Sequence, residues 1–210
     1  MIRASRSTIG APAQLPGFEG INRFWDALDG HWVAQVLPGE YYVTRNSEVI
    51  ATTLGSCVST CVRDPELGIG GMNHFMLPDD PKVEAGGDAM RYGCFAVERL
   101  LNTLVKYGAE RERLEIKVFG GGRVIPGMGD VGRGNIAFVR NYFETELLDI
   151  AAEDVGGTWA RRVRYYPETG KVFVKHLAAG EASSIAKAEV EHKARLSHRP
   201  VAGAVELFGD

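Results

Sequence analysis

The sequence predicts a mixed α+β fold in which short strands outnumber helices. Three features support it. Strand-like segments follow one another after Pro38-Gly39, sustained helical periodicity is confined to two segments, and a Pro-Glu-Thr-Gly turn joins two further strands. Connections of this hairpin kind favour a mainly antiparallel sheet with helices on one side. We therefore expect about seven or eight strands and two main helices.

Bulk composition is that of an ordinary globular protein. The 210 residues are 45% hydrophobic and 24% charged, with a formal net charge of -3, so we expect one compact domain with extended ends. This charge gives no strong field for nucleic acid or an anionic membrane, and neither is an expected partner. Three cysteines are too few for a disulfide framework. Because no segment resembles a signal peptide or a membrane span, we expect a cytoplasmic protein.

Three regions are distinguished by their composition. Residues 1–38 form an aromatic-containing N-terminal arm, in which helical spacing predicts a short helix over 21–28. The arm packs on the core or binds a partner. Residues 39–180 form the main domain, and residues 181–210 form a polar helix, over 183–196, followed by a tail.

Within the main domain, hydrophobic patterning and turn residues define the elements. Strands are predicted at 41–45, 48–54, 57–63, 69–77 and 114–119, and a hairpin at 159–166 and 171–177. Helices are predicted at 88–107, ended by Gly108, and at 135–152, with Asn135 as the N-cap.

A glycine-rich stretch precedes the second predicted helix. Residues 127–132 match the G-x-G-x-x-G dinucleotide fingerprint. That fingerprint belongs directly after a strand in repeated βαβ units, whereas here Gly120–Pro126 intervene and hairpins surround it. We interpret the stretch as a flexible rim of the site and expect no cofactor.

A cysteine and a histidine are candidates for a reactive pair. The predicted strands 57–63 and 69–77 flank an Asp-Pro turn. A hairpin centred on Pro65-Glu66 places Cys57 opposite His74, within a one-residue shift that a bulge at Gly68 would introduce. Facing residues have Cβ atoms about 4.5 to 5.5 Å apart. The pair can therefore reach hydrogen-bond contact.

The chemistry of the two residues fits nucleophilic catalysis. An imidazolium lowers the thiol pKa, which yields the thiolate that attacks carbonyl carbon, and the imidazole then protonates a leaving amine. Gly55-Ser56 permit a bend that aims backbone N–H groups at the oxyanion of a tetrahedral intermediate. Taken singly, however, Cys57 and His74 are also typical of buried structural residues.

A zinc site is the competing interpretation. Cys57, Cys61, His74 and Cys94 are all ligand types for zinc. Along a strand, however, Cys57 and Cys61 lie about 13 Å apart, too far for one metal ion. We therefore expect no metal and interpret Cys61 and Cys94 as core residues.

The motif LGSCV, the following Asp-Pro turn and the strand GGMNHFMLP resemble the chemoreceptor glutamine deamidases of bacterial chemotaxis, the CheD family. The resemblance extends through INRFWD, LPGEYYVT, FGGG, GRGN, EDVGG and RRVRYYPETGKV, roughly four-fifths of the chain. It implies a three-layer sandwich similar to bacterial toxin deamidases, with 39–180 as the catalytic domain. It also implies Cys57 as nucleophile, His74 as base, and methyl-accepting chemotaxis receptors as substrates whose selected glutamines become glutamates.

One position departs from the family pattern. The family commonly has a threonine six residues before the nucleophile, where this chain has Ala51. A one-residue bulge would bring Thr52 into that role, since strand alternation otherwise turns it away. The residue that orients His74 is therefore Thr52 or a backbone carbonyl.

Two other functions share these residues. A non-catalytic adaptor would bind receptors or a CheC-type chemotaxis phosphatase through the same groove, as the resemblance implies for parts of the family. A cysteine protease or transglutaminase would use the same pair and give cleaved or cross-linked products. The mass of a co-expressed receptor distinguishes them, because each deamidated glutamine gains about one mass unit.

Overall fold

A computed structural model describes residues 10–77, 88–124, 131–178, 181, 185, 187 and 189–191. Six strands come first, and the two helices lie between the sixth strand and the eighth. The strands are β1 (Asn22–Asp26), β2 (His31–Gln35), β3 (Tyr41–Thr44), β4 (Glu48–Leu54), β5 (Val58–Asp64), β6 (Ile69–Asn73), β7 (Glu115–Gly120), β8 (Ile150–Val155), β9 (Arg161–Tyr166) and β10 (Lys171–His176). The helices are α1 (Asp88–Lys106) and α2 (Val131–Thr145), with a 3-10 turn at Arg111–Arg113.

The strands form two five-stranded sheets. Sheet A has the order β1-β2-β4-β9-β10 and sheet B the order β3-β6-β5-β7-β8. The pairs β2/β4 and β7/β8 are parallel and the other pairs are antiparallel. The predicted α+β fold with mainly antiparallel strands and two main helices is confirmed.

Sheet B is the middle layer. A Cβ atom added to Gly70 of β6 would meet Pro167, in the β9–β10 turn of sheet A, at 2.8 Å. One added to the next residue, Gly71, would meet Leu100 of α1 at 2.7 Å. Since successive residues of a strand point to opposite faces, one face of sheet B packs on sheet A and the other on the helices. The result is a three-layer sandwich.

The helix predicted over 21–28 is wrong. Residues 22–26 form β1, which pairs with β2 as an antiparallel hairpin, and residues 27 and 28 lie in the turn between them. Trp25 stands opposite Trp32, with ring centroids 6.1 Å apart. Cross-strand aromatic pairs stabilise a hairpin, whereas an isolated eight-residue helix is marginal in water. The aromatic spacing that suggested a helix therefore serves strand pairing, and the arm contributes two strands to sheet A.

The second helix was predicted several residues too late. Helix α2 ends at Thr145, and Leu147 adopts a left-handed φ of 55°, which ends the helical path. The following residues form β8, an unpredicted strand parallel to β7. Asn135 consequently lies inside α2 and is not its cap. Residues 127–130 of the glycine-rich stretch lie outside the described residues.

Helix α1, strand β7 and the β9–β10 hairpin are found where the sequence predicted them. Gly108, after α1, has a φ of 96°, a conformation that favours glycine and stops a helix. In the described ranges, no helix is long and apolar enough to cross a membrane.

The β5–β6 turn, which sets the position of the site, is held by Asp64. Its buried carboxylate accepts hydrogen bonds from the backbone N–H groups of Glu66 and Leu67 and from the Arg113 guanidinium. The Arg113 contact lowers the pKa of Asp64 to about 2. Because the folded pKa lies below the ordinary value of 3.8, Asp64 stabilises the fold above about pH 4 and loses this effect as the pH falls towards 2.

We expect Asp64→Asn to lower the free energy of unfolding by about 1 to 2 kcal/mol at neutral pH, because the charge-assisted bonds to Arg113 are lost. Urea unfolding at pH 7 and at pH 3 measures the effect, which should shrink at the lower pH. Glu66→Gln is the matched control, since Glu66 is exposed and reaches Arg113 only at 3.5 Å. A deficit for Asp64→Asn that does not change with pH would contradict this role.

Candidate active site

The β5–β6 hairpin brings Cys57 and His74 to the same face. Val58 pairs with Phe75, which is two positions away from the predicted register, so Cys57 and His74 do not stand directly opposite each other. The turn is longer than predicted because Gly68, with a φ of 64°, donates back to the Asp64 carbonyl. A slip of two residues keeps every side chain on its predicted face. The two residues are therefore diagonal neighbours.

Cys57 lies at the crossing from sheet A to sheet B, after a bend at Gly55-Ser56. The carbonyl of Gly55 accepts a hydrogen bond from Gly122 N at 2.6 Å, and that of Ser56 accepts one from Asn135 Nδ2 at 2.8 Å. In a trans peptide the N–H points opposite to the carbonyl. Fixing these two carbonyls therefore directs the N–H groups of Ser56 and Cys57 to the other side.

These N–H groups converge on the carboxylate of Glu189. Oε1 accepts hydrogen bonds from Gly55 N at 2.8 Å and Cys57 N at 3.1 Å. Oε2 accepts hydrogen bonds from both the backbone N and the Oγ of Ser56, each at 2.8 Å. We call this set of donors, from Gly55, Ser56 and Cys57, the amide cradle. Preorganised backbone donors of this kind stabilise an oxyanion.

Thr52 is hydrogen-bonded to the ring of His74. The Thr52 Oγ1 lies 2.8 Å from His74 Nδ1 and donates to the Val36 carbonyl at 2.7 Å. A hydroxyl has one proton to donate, so it accepts from Nδ1–H, and the neutral ring keeps its lone pair on Nε2. Strand β4 pairs with β9 in unbroken register from Ile50 to Leu54. The bulge expected for this geometry is therefore not needed.

The thiol is close to both other groups. Cys57 Sγ, a ring nitrogen of His74 and a carboxylate oxygen of Glu189 all lie within 4.8 Å of one another. Burial raises the pKa of the Cys57 thiol well above its ordinary value, and the Glu189 carboxylate raises it further. The protonated thiol is thus favoured while Glu189 occupies the cradle.

Cys57, His74 and Glu189 also offer the ligand types of a metal site. Each Glu189 oxygen, however, already accepts two hydrogen bonds from the cradle. That pattern is typical of an anion held by amides. The set considered from the sequence does not assemble in the described residues, where Cys61 of β5 and Cys94 of α1 do not belong to this cluster.

Asn135 links both sides of the site. Besides donating to the Ser56 carbonyl, its amide accepts a hydrogen bond from Leu77 N at 2.9 Å. One fully buried side chain in α2 therefore fixes the segment before Cys57 and the segment after His74. Sequence reasoning treated Asn135 as a helix cap, and it gave no signal for Glu189 within a polar helix.

A cleft of about 190 Å³ opens beside the pair. Its lining comes from the end of β2, from β4 and from the C-terminal helical segment, whose described residues are Glu181, Ile185, Lys187, Glu189, Val190 and Glu191. Thr52, Thr53 and His74 form one wall, and Ile185 and Glu189 form another. The cleft reaches His74 and Glu189, whereas Cys57 is fully buried and is not part of its lining.

A thiol, an oriented imidazole and an amide cradle in an α+β sandwich have the arrangement typical of thiol-dependent acyl-transfer enzymes. Comparisons with known proteins narrow the class. The family model described as CheD chemotactic sensory transduction matches residues 76–176, a range that begins after Cys57 and His74.

Curated relatives cover nearly the whole chain. A probable chemoreceptor glutamine deamidase CheD of Hahella chejuensis is 48% identical over 94% of this chain and 95% of its own. Proteins of the same name from Halorhodospira halophila and Saccharophagus degradans are 46% and 42% identical, over 95% and 92% of this chain and 95% and 93% of their own. The chain belongs to the CheD family.

Proposed function

We propose that this chain hydrolyses the side-chain amide of selected glutamine residues in methyl-accepting chemotaxis receptors, acting as a protein-glutamine glutaminase. The observation that carries the proposal is the amide cradle next to the Cys57 thiol and the His74 ring. The names of the relatives supply the substrate, and the geometry supplies the chemistry. The catalytic residues in this proposal are Cys57 and His74, and Thr52 completes the site as the residue that positions His74.

The reaction takes two steps. His74 removes the proton of the Cys57 thiol, and the thiolate attacks the glutamine Cδ while the amide cradle stabilises the oxyanion. His74 then protonates the leaving ammonia, and a thioester remains. Water, deprotonated by His74, hydrolyses the thioester and yields glutamate and the free thiol. Thr52 holds the imidazole in the tautomer with its lone pair on Nε2.

The proposed reaction also has an expected location, a further protein partner and no cofactor. We place the reaction in the cytoplasm. The cytoplasm is a reducing compartment, which keeps Cys57 as the free thiol that the mechanism needs. A CheC-type chemotaxis phosphatase is a further partner that the family resemblance implies. The steps above need no cofactor, since thiol, imidazole and backbone amides supply all of the groups that react.

Mass spectrometry of a receptor tests this function. We expect receptor incubated with the wild-type protein to gain about one mass unit at each converted glutamine, with an equivalent release of ammonia. Receptor incubated with Cys57→Ala should gain none. Cys61→Ala removes a buried thiol outside the site and is the matched control. Equal mass gain with Cys57→Ala would refute the mechanism, and an unchanged receptor with the wild type would favour an adaptor.

The positioning role of Thr52 predicts a smaller effect. Thr52→Val removes one hydrogen bond to His74, which contributes about 1 to 1.5 kcal/mol of free energy. If this energy is lost from the transition state, kcat should fall roughly tenfold with little change in KM. Thr52→Ser keeps the hydroxyl and should restore the rate. Thr53→Val, on the neighbouring half-buried residue of the cleft, is the control. Equal losses for the two valine variants would contradict a specific role for Thr52.

A further inference from the structure

Glu189 is a buried acid whose environment is unusual for a carboxylate on a polar helix. Its side chain is almost fully buried, at 1% exposure. Four hydrogen bonds hold it, and all of them come from the amide cradle. Its helical neighbours Lys187, Val190 and Glu191 are all exposed. Glu189 thus enters the site, while Lys187, Val190 and Glu191, the described residues nearest to it, remain at the surface.

The position of the carboxylate matches that of a reaction product. Deamidation of glutamine leaves a glutamate whose carboxylate lies in the oxyanion site next to the nucleophile. Glu189 places a carboxylate oxygen within 4.8 Å of both Cys57 Sγ and a His74 ring nitrogen. Gly55 leaves the space for it, because a Cβ atom there would lie 2.7 Å from Glu189 Oε2. The chain therefore carries its own glutamyl side chain in the site.

A second residue anchors the segment. Ile185 lies four positions before Glu189, which puts it on the same face of a helix. Both residues line the cleft with Leu37 and Pro38 from the end of β2. Ile185 is half-buried. The contact thus combines an apolar anchor with a carboxylate one helical turn away.

From this geometry we propose that the C-terminal helical segment is an internal ligand of the active site, with Glu189 bound as the product glutamate is bound. The proposal rests on the proposed function and identifies the glutamyl subsite of that reaction. It has two consequences. An external glutamine enters only when the segment leaves, and a glutamine placed at position 189 is itself a substrate.

The second consequence gives a direct test in the purified full chain. In Glu189→Gln, the Cys57 thiolate attacks Cδ of the introduced glutamine, ammonia leaves with a proton from His74, and water hydrolyses the thioester. The net change is amide plus water to carboxylate plus ammonia. We expect residue 189 to be recovered as glutamate, about one mass unit heavier than the encoded glutamine, in a tryptic peptide.

Two controls isolate the site. Glu191→Gln introduces the same residue two positions on, at an exposed site, and should remain glutamine. The double variant Glu189→Gln with Cys57→Ala should also remain glutamine. Conversion at position 189 alone supports the inference whatever the receptor does. If the glutamine at position 189 stays unconverted in a preparation that deamidates receptor, the internal-ligand inference is overturned and the proposed function stands. If the same preparation also fails to deamidate receptor, the result counts against both proposals.

The first consequence is tested without altering the cradle. Ile185→Asp should release the segment and raise the rate at which iodoacetamide alkylates Cys57. If the segment covers the site for about nine-tenths of the time, release raises this rate and that of receptor deamidation about tenfold. Val190→Asp places the same charge on an exposed residue of the segment and should change neither rate. Equal rates for wild type and Ile185→Asp would overturn the inference.

Discussion

Replacing His74 by alanine is expected to lower kcat for receptor deamidation by about a thousandfold, within the range of about 10² to 10⁴ attributed to general acid–base catalysis. The imidazole acts in both steps, first on the thiol and then on water. Its loss therefore affects thioester formation and hydrolysis alike. Ammonia release under saturating receptor measures the effect, and circular dichroism checks that the fold is retained.

Added imidazole separates a catalytic from a structural role. If the ring acts as a base, free imidazole that enters the cleft should restore part of the rate of His74→Ala, with a dependence on pH near 6 to 7. His176→Ala is the matched control, because His176 is an exposed residue of β10 paired with Asp154. Retention of the wild-type rate by His74→Ala would remove the proposed base.

The sequence allowed the pair to be recognised although the predicted register was two positions out. Side chains on a strand alternate, so an error of two residues in the β5–β6 register leaves Cys57 and His74 on one face. An error of one residue would have separated them. The prediction of a shared face thus required only that the register error be an even number of residues. The actual register is set by the length of the turn, which depends on Gly68 and on the hydrogen bonds of Asp64.

Other features required the tertiary structure. Asn135 looked like a helix cap because that residue type is common there, whereas its amide joins two distant segments. Strand β8 continues a periodic apolar pattern, and its pairing with β7 is non-local. Glu189 is 132 residues from Cys57, and a lone acid in a polar helix has no local pattern. Each of these is decided by contacts between segments.

Gly55→Ala is the variant with the second large expected effect. A Cβ atom at this position would lie 2.7 Å from both Glu189 Oε2 and Val124 Cγ2. It would therefore intrude on the space in which the amide cradle binds a carboxylate or an oxyanion. The backbone of Gly55 is not left-handed, so alanine introduces no backbone strain. We expect kcat to fall by about 10² to 10³, the effect typical of losing an oxyanion contact.

Two measurements, thiol alkylation and receptor deamidation, together show whether the loss of activity in Gly55→Ala arises in the amide cradle. The added methyl group displaces the Glu189 carboxylate, so iodoacetamide should alkylate Cys57 of Gly55→Ala faster than wild type while receptor deamidation becomes slower. Gly134→Ala is the control, because Gly134 lies in α2 with open space around it; alanine there should leave both rates unchanged. A simple misfolding defect would lower turnover without this selective gain in thiol reactivity. A reactive thiol that no longer turns over receptor would therefore separate two roles of the cradle, since binding Glu189 protects the nucleophile and binding the oxyanion drives the reaction.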